Sequence, residues 1–155
     1  MWNTRVVRPV HLRFRHIGLV ALGGAVGTAF REGLALSFPA PPQGFPVTVF
    51  VINVVGSFVL GLLLETLSRR GPDEGSRRLL RLAFGTGVLG GFTTYSALAT
   101  DVASRLPHAT GVAFGYAAAS LVLGVLAALI GVAVASRLNR SRPESVSAAT
   151  EEEAG

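Results

Sequence analysis

Four apolar runs, each long enough to cross a hydrocarbon layer as a helix, leave this chain few folds to choose from. They extend over about residues 17–38, 45–65, 79–102 and 110–136. A layer ~30 Å thick takes roughly 20 helical residues, and every backbone N–H and C=O inside it must be paired within the protein. The last run carries no charge. In the others the charges stand near the ends: Arg31 and Glu32, Glu65, then Arg81 and Asp101. No run has the polar stripe of a soluble surface helix, and none shows the short alternating segments of a membrane β-barrel. The first run lacks a small-residue cleavage site ahead of polar sequence, so it reads as a span and not as a signal peptide. The expected fold class is an all-α membrane protein with four transmembrane helices.

The connections are short. Pro39-Ala40-Pro41-Pro42-Gln43-Gly44, Gly71-Pro72-Asp73-Glu74-Gly75 and Leu106-Pro107-His108 punctuate the runs with turn-forming residues. This divides the chain into a basic N-terminal tail (1–16), a four-span domain (17–138) and a Ser-, Glu- and Ala-rich C-terminal tail (139–155) expected to be disordered.

Half of the 155 residues are hydrophobic and 15% are charged, against about a quarter in a soluble domain. Nineteen glycines suit close helix packing in lipid. With no cysteine in the chain, disulfides, thiol nucleophiles and Cys-based metal sites are excluded. His11, His16 and His108 lie outside the runs and lack metal-ligand spacing. Gly85-x-Gly87-x-x-Gly90 imitates a dinucleotide fingerprint, but an apolar span is the wrong context for one. No enzyme is expected.

All fourteen basic residues are arginines, and their positions argue topology and headgroup contact, not nucleic acid. With four spans, both termini and the middle loop share one side. Arg5, Arg8, Arg13 and Arg15, then Arg69, Arg70, Arg77, Arg78 and Arg81, then Arg137, Arg140 and Arg142 fall there, leaving only Arg31 and Arg105 opposite. The positive-inside rule puts that side in the cytoplasm, so a multi-pass protein of the plasma membrane with cytoplasmic termini is expected.

Polar groups inside lipid spans are costly and tend to mark function. Asn53 stands in the middle of the second run, where an amide either bonds a neighbouring helix or serves a pathway. The third run contains Gly85-Thr86-Gly87-Val88-Leu89-Gly90-Gly91-Phe92-Thr93-Thr94-Tyr95-Ser96. So many glycines weaken a helix, at about 1 kcal/mol each relative to Ala. The stretch is either a tight helix crossing or a broken helix whose freed backbone groups line a cavity or hold an ion.

Three segments in order resemble the Fluc/CrcB family of fluoride channels: Gly23-Gly24-Ala25-Val26-Gly27-Thr28-Ala29-Phe30-Arg31, Asn53-Val54-Val55-Gly56-Ser57-Phe58-Val59-Leu60-Gly61, and Gly90-Gly91-Phe92-Thr93-Thr94-Tyr95-Ser96. The resemblance implies an antiparallel dimer of four-helix subunits with a broken third helix and two fluoride pathways along the subunit interface. It implies a structural sodium ion held by the main-chain carbonyls of Gly90 and Thr93. It assigns to the anion pathway Asn53, Thr94, Tyr95, Ser96, Leu98, Tyr116, Ser120 and Arg31, the last near a vestibule. The physics is coherent: a small, strongly hydrated anion needs its water replaced by amide, hydroxyl and aromatic-edge donors, none binding too tightly. The function implied is passive export of cytoplasmic fluoride, relieving its toxicity.

Two positions depart from the family pattern. Where it has two phenylalanines three residues apart, this chain has Tyr95 and Leu98, and Glu32 follows Arg31 where an aromatic residue is common. An antiparallel homodimer also needs one sequence to insert both ways, whereas these arginines favour one orientation. A paired homologous subunit of opposite orientation is therefore expected as partner. The rival readings are a small four-span dual-topology exporter, which needs a membrane-embedded carboxylate, and a non-conducting partner subunit.

Overall fold

A computed structural model describes residues 14–140, all of whose regular structure is helical. Residues 1–13 and 141–155, with most of both expected tails, lie outside the described residues. Three helices are long and apolar enough to cross a membrane: α1 (Phe14–Ser37), α2 (Val47–Arg69) and the last, α6 (Thr110–Arg140). Their ends run past the expected boundaries. Helix α1 begins inside the expected N-terminal tail, and α6 continues beyond residue 138. Helix α2 continues past Glu65 because that charge is not left to solvent. Arg69, one turn on, bonds Glu65 through Nε and Ser136 Oγ through Nη2 (3.0 Å), while Ser136 Oγ donates to Glu65 Oε1 (2.8 Å).

The third apolar run is divided. Helix α3 (Gly75–Leu80) leads without interruption into a π-wound stretch, Arg81–Leu89, and then α4 (Gly90–Phe92). Within the wide turns the N–H of Gly90 reaches back to Gly85 O, five residues away. Thr93 and Thr94 are then extended, with φ, ψ of −77°, 153° and −149°, 121°, and α5 (Tyr95–Arg105) follows. The glycines themselves stay wound. The extended residues are two β-branched threonines, which favour such dihedrals.

Two glycine-mediated crossings hold the helices together. Helix α1 packs on the π-wound stretch and α4, while α2 packs along α6. A Cβ on Gly27 would overlap Val88 O and lie 2.8 Å from Phe92 N, and one on Gly91 would overlap Gly24 O. At the second crossing, added Cβ atoms on Gly61 and Gly131 would overlap Ala128 O and Phe58 O. Backbone lies against backbone at both places, which only glycine permits, and dispersion at that range is what drives helix association in lipid.

The loop between α1 and α2 is fixed from below by Arg105, which is 4% exposed. Its guanidinium donates to Gly44 O (2.8 Å), Pro41 O (3.2 Å), Asp101 O (2.9 Å) and Asp101 Oδ1 (2.7 Å). Asp101 is thus not the solvated boundary charge its place at a run's end suggests. A buried charge is tolerated when its donors are used in this way. At the opposite end, Arg81 grips Asp73 through Nε (3.0 Å) and Nη2 (2.7 Å), with Arg78 at 3.6 Å.

Gly27→Ala should destabilise the protein by about 1–3 kcal/mol or more through overpacking. Gly33→Ala, with nothing within 4 Å of its added Cβ, should be neutral or stabilising by up to about 1 kcal/mol. Melting curves of both variants in detergent check this. In the α2–α3 loop the hydrogen bond from Arg81, followed by the charges of Arg81 and Arg78, holds the Asp73 carboxyl below its ordinary value near 3.8. A depressed carboxyl contributes stability above its unfolded value and loses it as the pH falls through the folded one. Acid melting below pH 3.8 should therefore be steeper in the wild type than in Asp73→Asn.

Candidate functional site

A continuous helix would bond Thr94 N–H to Gly90 O and Ala97 N–H to Thr93 O. Here both donors are turned elsewhere. Thr94 N–H donates to Asn53 Oδ1 (2.8 Å), and Ala97 N–H donates to Thr94 Oγ1 (3.2 Å), an N-cap for α5. Asn53 Nδ2 in turn donates to Thr94 O (3.0 Å). The side-chain amide of α2 thus pairs with the main chain of Thr94 as another peptide group would. An asparagine amide has two N–H donors, and this pairing engages one of them.

Carbonyls are therefore released from their helical donors at the interruption, Gly90 O and Thr93 O among them. These two are the oxygens the sequence resemblance assigns to sodium, and a hard cation of that kind favours oxygen ligands. Among the described residues no group of three His, Asp or Glu side chains offers a metal site, so main-chain oxygens are the chemically suitable donors here. Thr93 is seated by its own Oγ1, which donates to Leu89 O (2.9 Å), and by Gly56, where any Cβ would overlap the Thr93 methyl. Thr28 Oγ1 reaches Gly91 O at 3.4 Å from α1.

The other residues fall into separate groups. Ser96 Oγ lies 3.1 Å from Thr94 Oγ1, beside Asn53 and the interruption. Tyr95 points away from the subunit, 78% exposed, and Leu98 is half-buried on the same short helix. Tyr116 and Ser120 lie in α6, fully buried and 5% exposed. Phe45 meets the Tyr116 ring edge-on at 5.3 Å. Neither the Tyr116 hydroxyl nor Ser120 Oγ has a hydrogen-bond partner among the described residues. Buried polar atoms without partners are rare and call for an explanation. Arg31 stands apart on α1: its guanidinium is 3.7 Å from Glu32, and its buried Nε has no partner among the described residues.

A cavity of about 700 Å³ leads from the interruption along α5, lined by Ser96, Thr100, Ser104, Asp101 and Arg105, with Thr48 opposite. Ser96, Thr100 and Ser104 are four residues apart, so a hydroxyl recurs at each turn of one helical face. That spacing was legible in the sequence. The Arg105 bonds to Gly44 and Pro41, some sixty residues away, left no sequence signal.

These features define a small all-helical integral membrane protein with its polar chemistry gathered at an interruption in an apolar helix. A family described as CrcB-like protein, Camphor Resistance (CrcB), matches residues 18–132. The chain is 52% identical over 136 residues to "Fluoride-specific ion channel FluC 2" of Leifsonia xyli subsp. xyli, covering 86% of this chain and 92% of the relative. It is 44% identical to "Fluoride-specific ion channel FluC 1" of Cutibacterium acnes, covering 76% and 82%, and 43% identical to "Fluoride-specific ion channel FluC" of Deinococcus radiodurans, covering 77% and 94%. The chain belongs to the CrcB family.

Asn53→Asp removes the donor to Thr94 O and sets a second acceptor beside it. Losing that hydrogen bond, with a carboxylate oxygen now facing the part-buried carbonyl, should cost about 1–3 kcal/mol. Thermal melting of the purified variant checks this, and an unchanged Tm would mean that the amide does not hold the interruption.

Proposed function

We propose that this chain is a subunit of a fluoride-selective channel that lets cytoplasmic fluoride leave the cell passively. The observation that carries the reading is the Asn53–Thr94 pairing. It gathers an amide hydrogen, the hydroxyls of Thr94 and Ser96 and two released carbonyls at one depth of an otherwise apolar bundle. The names of relatives at up to 52% identity support the same substrate. In this reading fluoride exchanges its water for the hydroxyls of Thr94, Ser96, Tyr116 and Ser120, the second amide hydrogen of Asn53 and the ring edge of Tyr95. Arg31 draws the anion towards the vestibule.

The working unit is an antiparallel dimer in the plasma membrane, with Gly90 O and Thr93 O of each subunit holding one sodium ion. When bound, that ion supplies positive charge that lowers the cost of an anion in a low-dielectric setting. The arginine distribution gives this chain one orientation, with both termini cytoplasmic, and the second subunit is a homologue inserted the other way. Leu98 supplies no ring edge, so the pathway it lines conducts less than its counterpart. This favours one narrower reading, in which the chain is the less conducting member of such a pair. A proton-coupled exporter is disfavoured, because Glu65 and Asp101 are already engaged by Arg69 and Arg105 and Glu32 is 57% exposed at a helix end.

Fluoride efflux from proteoliposomes, followed with a fluoride electrode, tests the proposal. Rapid fluoride loss without chloride loss is expected from the chain with its paired subunit. Absence of fluoride flux both alone and with that subunit would overturn it. A reporter fused to the C-terminus should signal from the cytoplasm only, and comparable signal from both sides would refute the fixed orientation.

A further inference from the structure

The cytoplasmic end of the bundle carries a second cavity, remote from the interruption. It has a volume of about 550 Å³ and lies between the first turn of α1 and helix α3. Arg15, His16 and Arg78 form its polar rim, and Leu19, Leu79 and Leu80 form an apolar wall. Both leucines of α3 are 43% exposed. No carboxylate pairs with Arg15 among the described residues. Of the two acids in the adjoining loop, Asp73 is already held by two hydrogen bonds from Arg81 and lies 3.6 Å from Arg78, and Glu74 makes no ion pair among the described residues. The rim therefore carries two arginines, of which Arg15 meets no carboxylate among the described residues.

We propose that this cavity binds the phosphodiester headgroup of an anionic phospholipid of the cytoplasmic leaflet, with an acyl chain along Leu19, Leu79 and Leu80. Guanidinium groups recognise phosphate oxygens through paired N–H donors, and a cationic pocket at the cytoplasmic surface meets the leaflet that carries negative charge. The apolar wall decides between sources: a free phosphate would gain nothing from three leucines, whereas a lipid buries its chain there. The bound lipid would join α1 to α3 and so steady the half of the third span that ends at the interruption. This inference does not rest on the fluoride reading, since its readout is lipid binding.

The test uses the purified full-length chain in detergent, supplied with phosphatidylglycerol, phosphatidylcholine or inorganic phosphate. Native mass spectrometry counts retained lipid, and melting follows stability. The wild type should retain phosphatidylglycerol in preference to phosphatidylcholine and melt higher in its presence. Arg15→Gln should retain about fivefold less, the worth of one arginine near an anionic surface. Arg15→Lys, which keeps the charge and loses the paired donors, should fall between wild type and Arg15→Gln, and the off-site Arg70→Gln should behave as wild type. Equal retention by Arg15→Gln, equal retention of phosphatidylcholine, or a melting shift reproduced by inorganic phosphate would each overturn the proposal.

Discussion

The structure depends on one exchange of hydrogen bonds. An extended residue inside an apolar helical run strands backbone groups that apolar surroundings cannot pair, at several kcal/mol each. Asn53 removes most of that cost at Thr94, because a carboxamide offers a donor and an acceptor spaced like those of a peptide unit. The Thr94 hydroxyl does the same for Ala97 N–H. What stays released is the acceptor side, Gly90 O and Thr93 O included. In the proposed channel those two oxygens would meet a cation, whose charge would make an anion tolerable nearby.

Everything around the interruption holds it at a set depth. The Gly27 and Gly91 contacts lock α1 against α4 one turn before Thr93, and Gly56 on α2 leaves just enough room for the Thr93 methyl. Glu65, Arg69 and Ser136 tie α2 to α6 at one end, and Arg105 ties the α1–α2 loop to α5 at the other. Small residues permit approach, and charged residues close the ends. The hydroxyls of Tyr116 and Ser120 are the exception: buried polar atoms in α6 that meet no full hydrogen-bond geometry among the described residues, at a cost in stability.

Hydropathy made the long helices legible, because length and lack of charge leave little else for such runs to be. Boundaries were less legible. Glu65 looked like an end and proved to be an interior link, since its partner Ser136 lies seventy-one residues on. In the third run the glycines drew attention to the right stretch for an incomplete reason. They serve the crossing with α1 and remain wound, whereas Thr93 and Thr94 carry the extended backbone. The pairing of Asn53 with a main-chain unit forty-one residues away was beyond any local pattern. So was the burial of Arg105, which hydropathy counts as a boundary charge. The Asn53 motif could be recognised, but the bond it makes could not.

Gly90 O and Thr93 O are free of helical hydrogen bonds and, in the proposed channel, open to a cation. Isotope-edited infrared spectroscopy on the liposome-reconstituted protein, with ¹³C at these two carbonyls, tests it most directly. Both should absorb apart from the helical carbonyls and shift when sodium is replaced by a bulky organic cation. Helical absorption at both positions, unchanged by the cation, would contradict it.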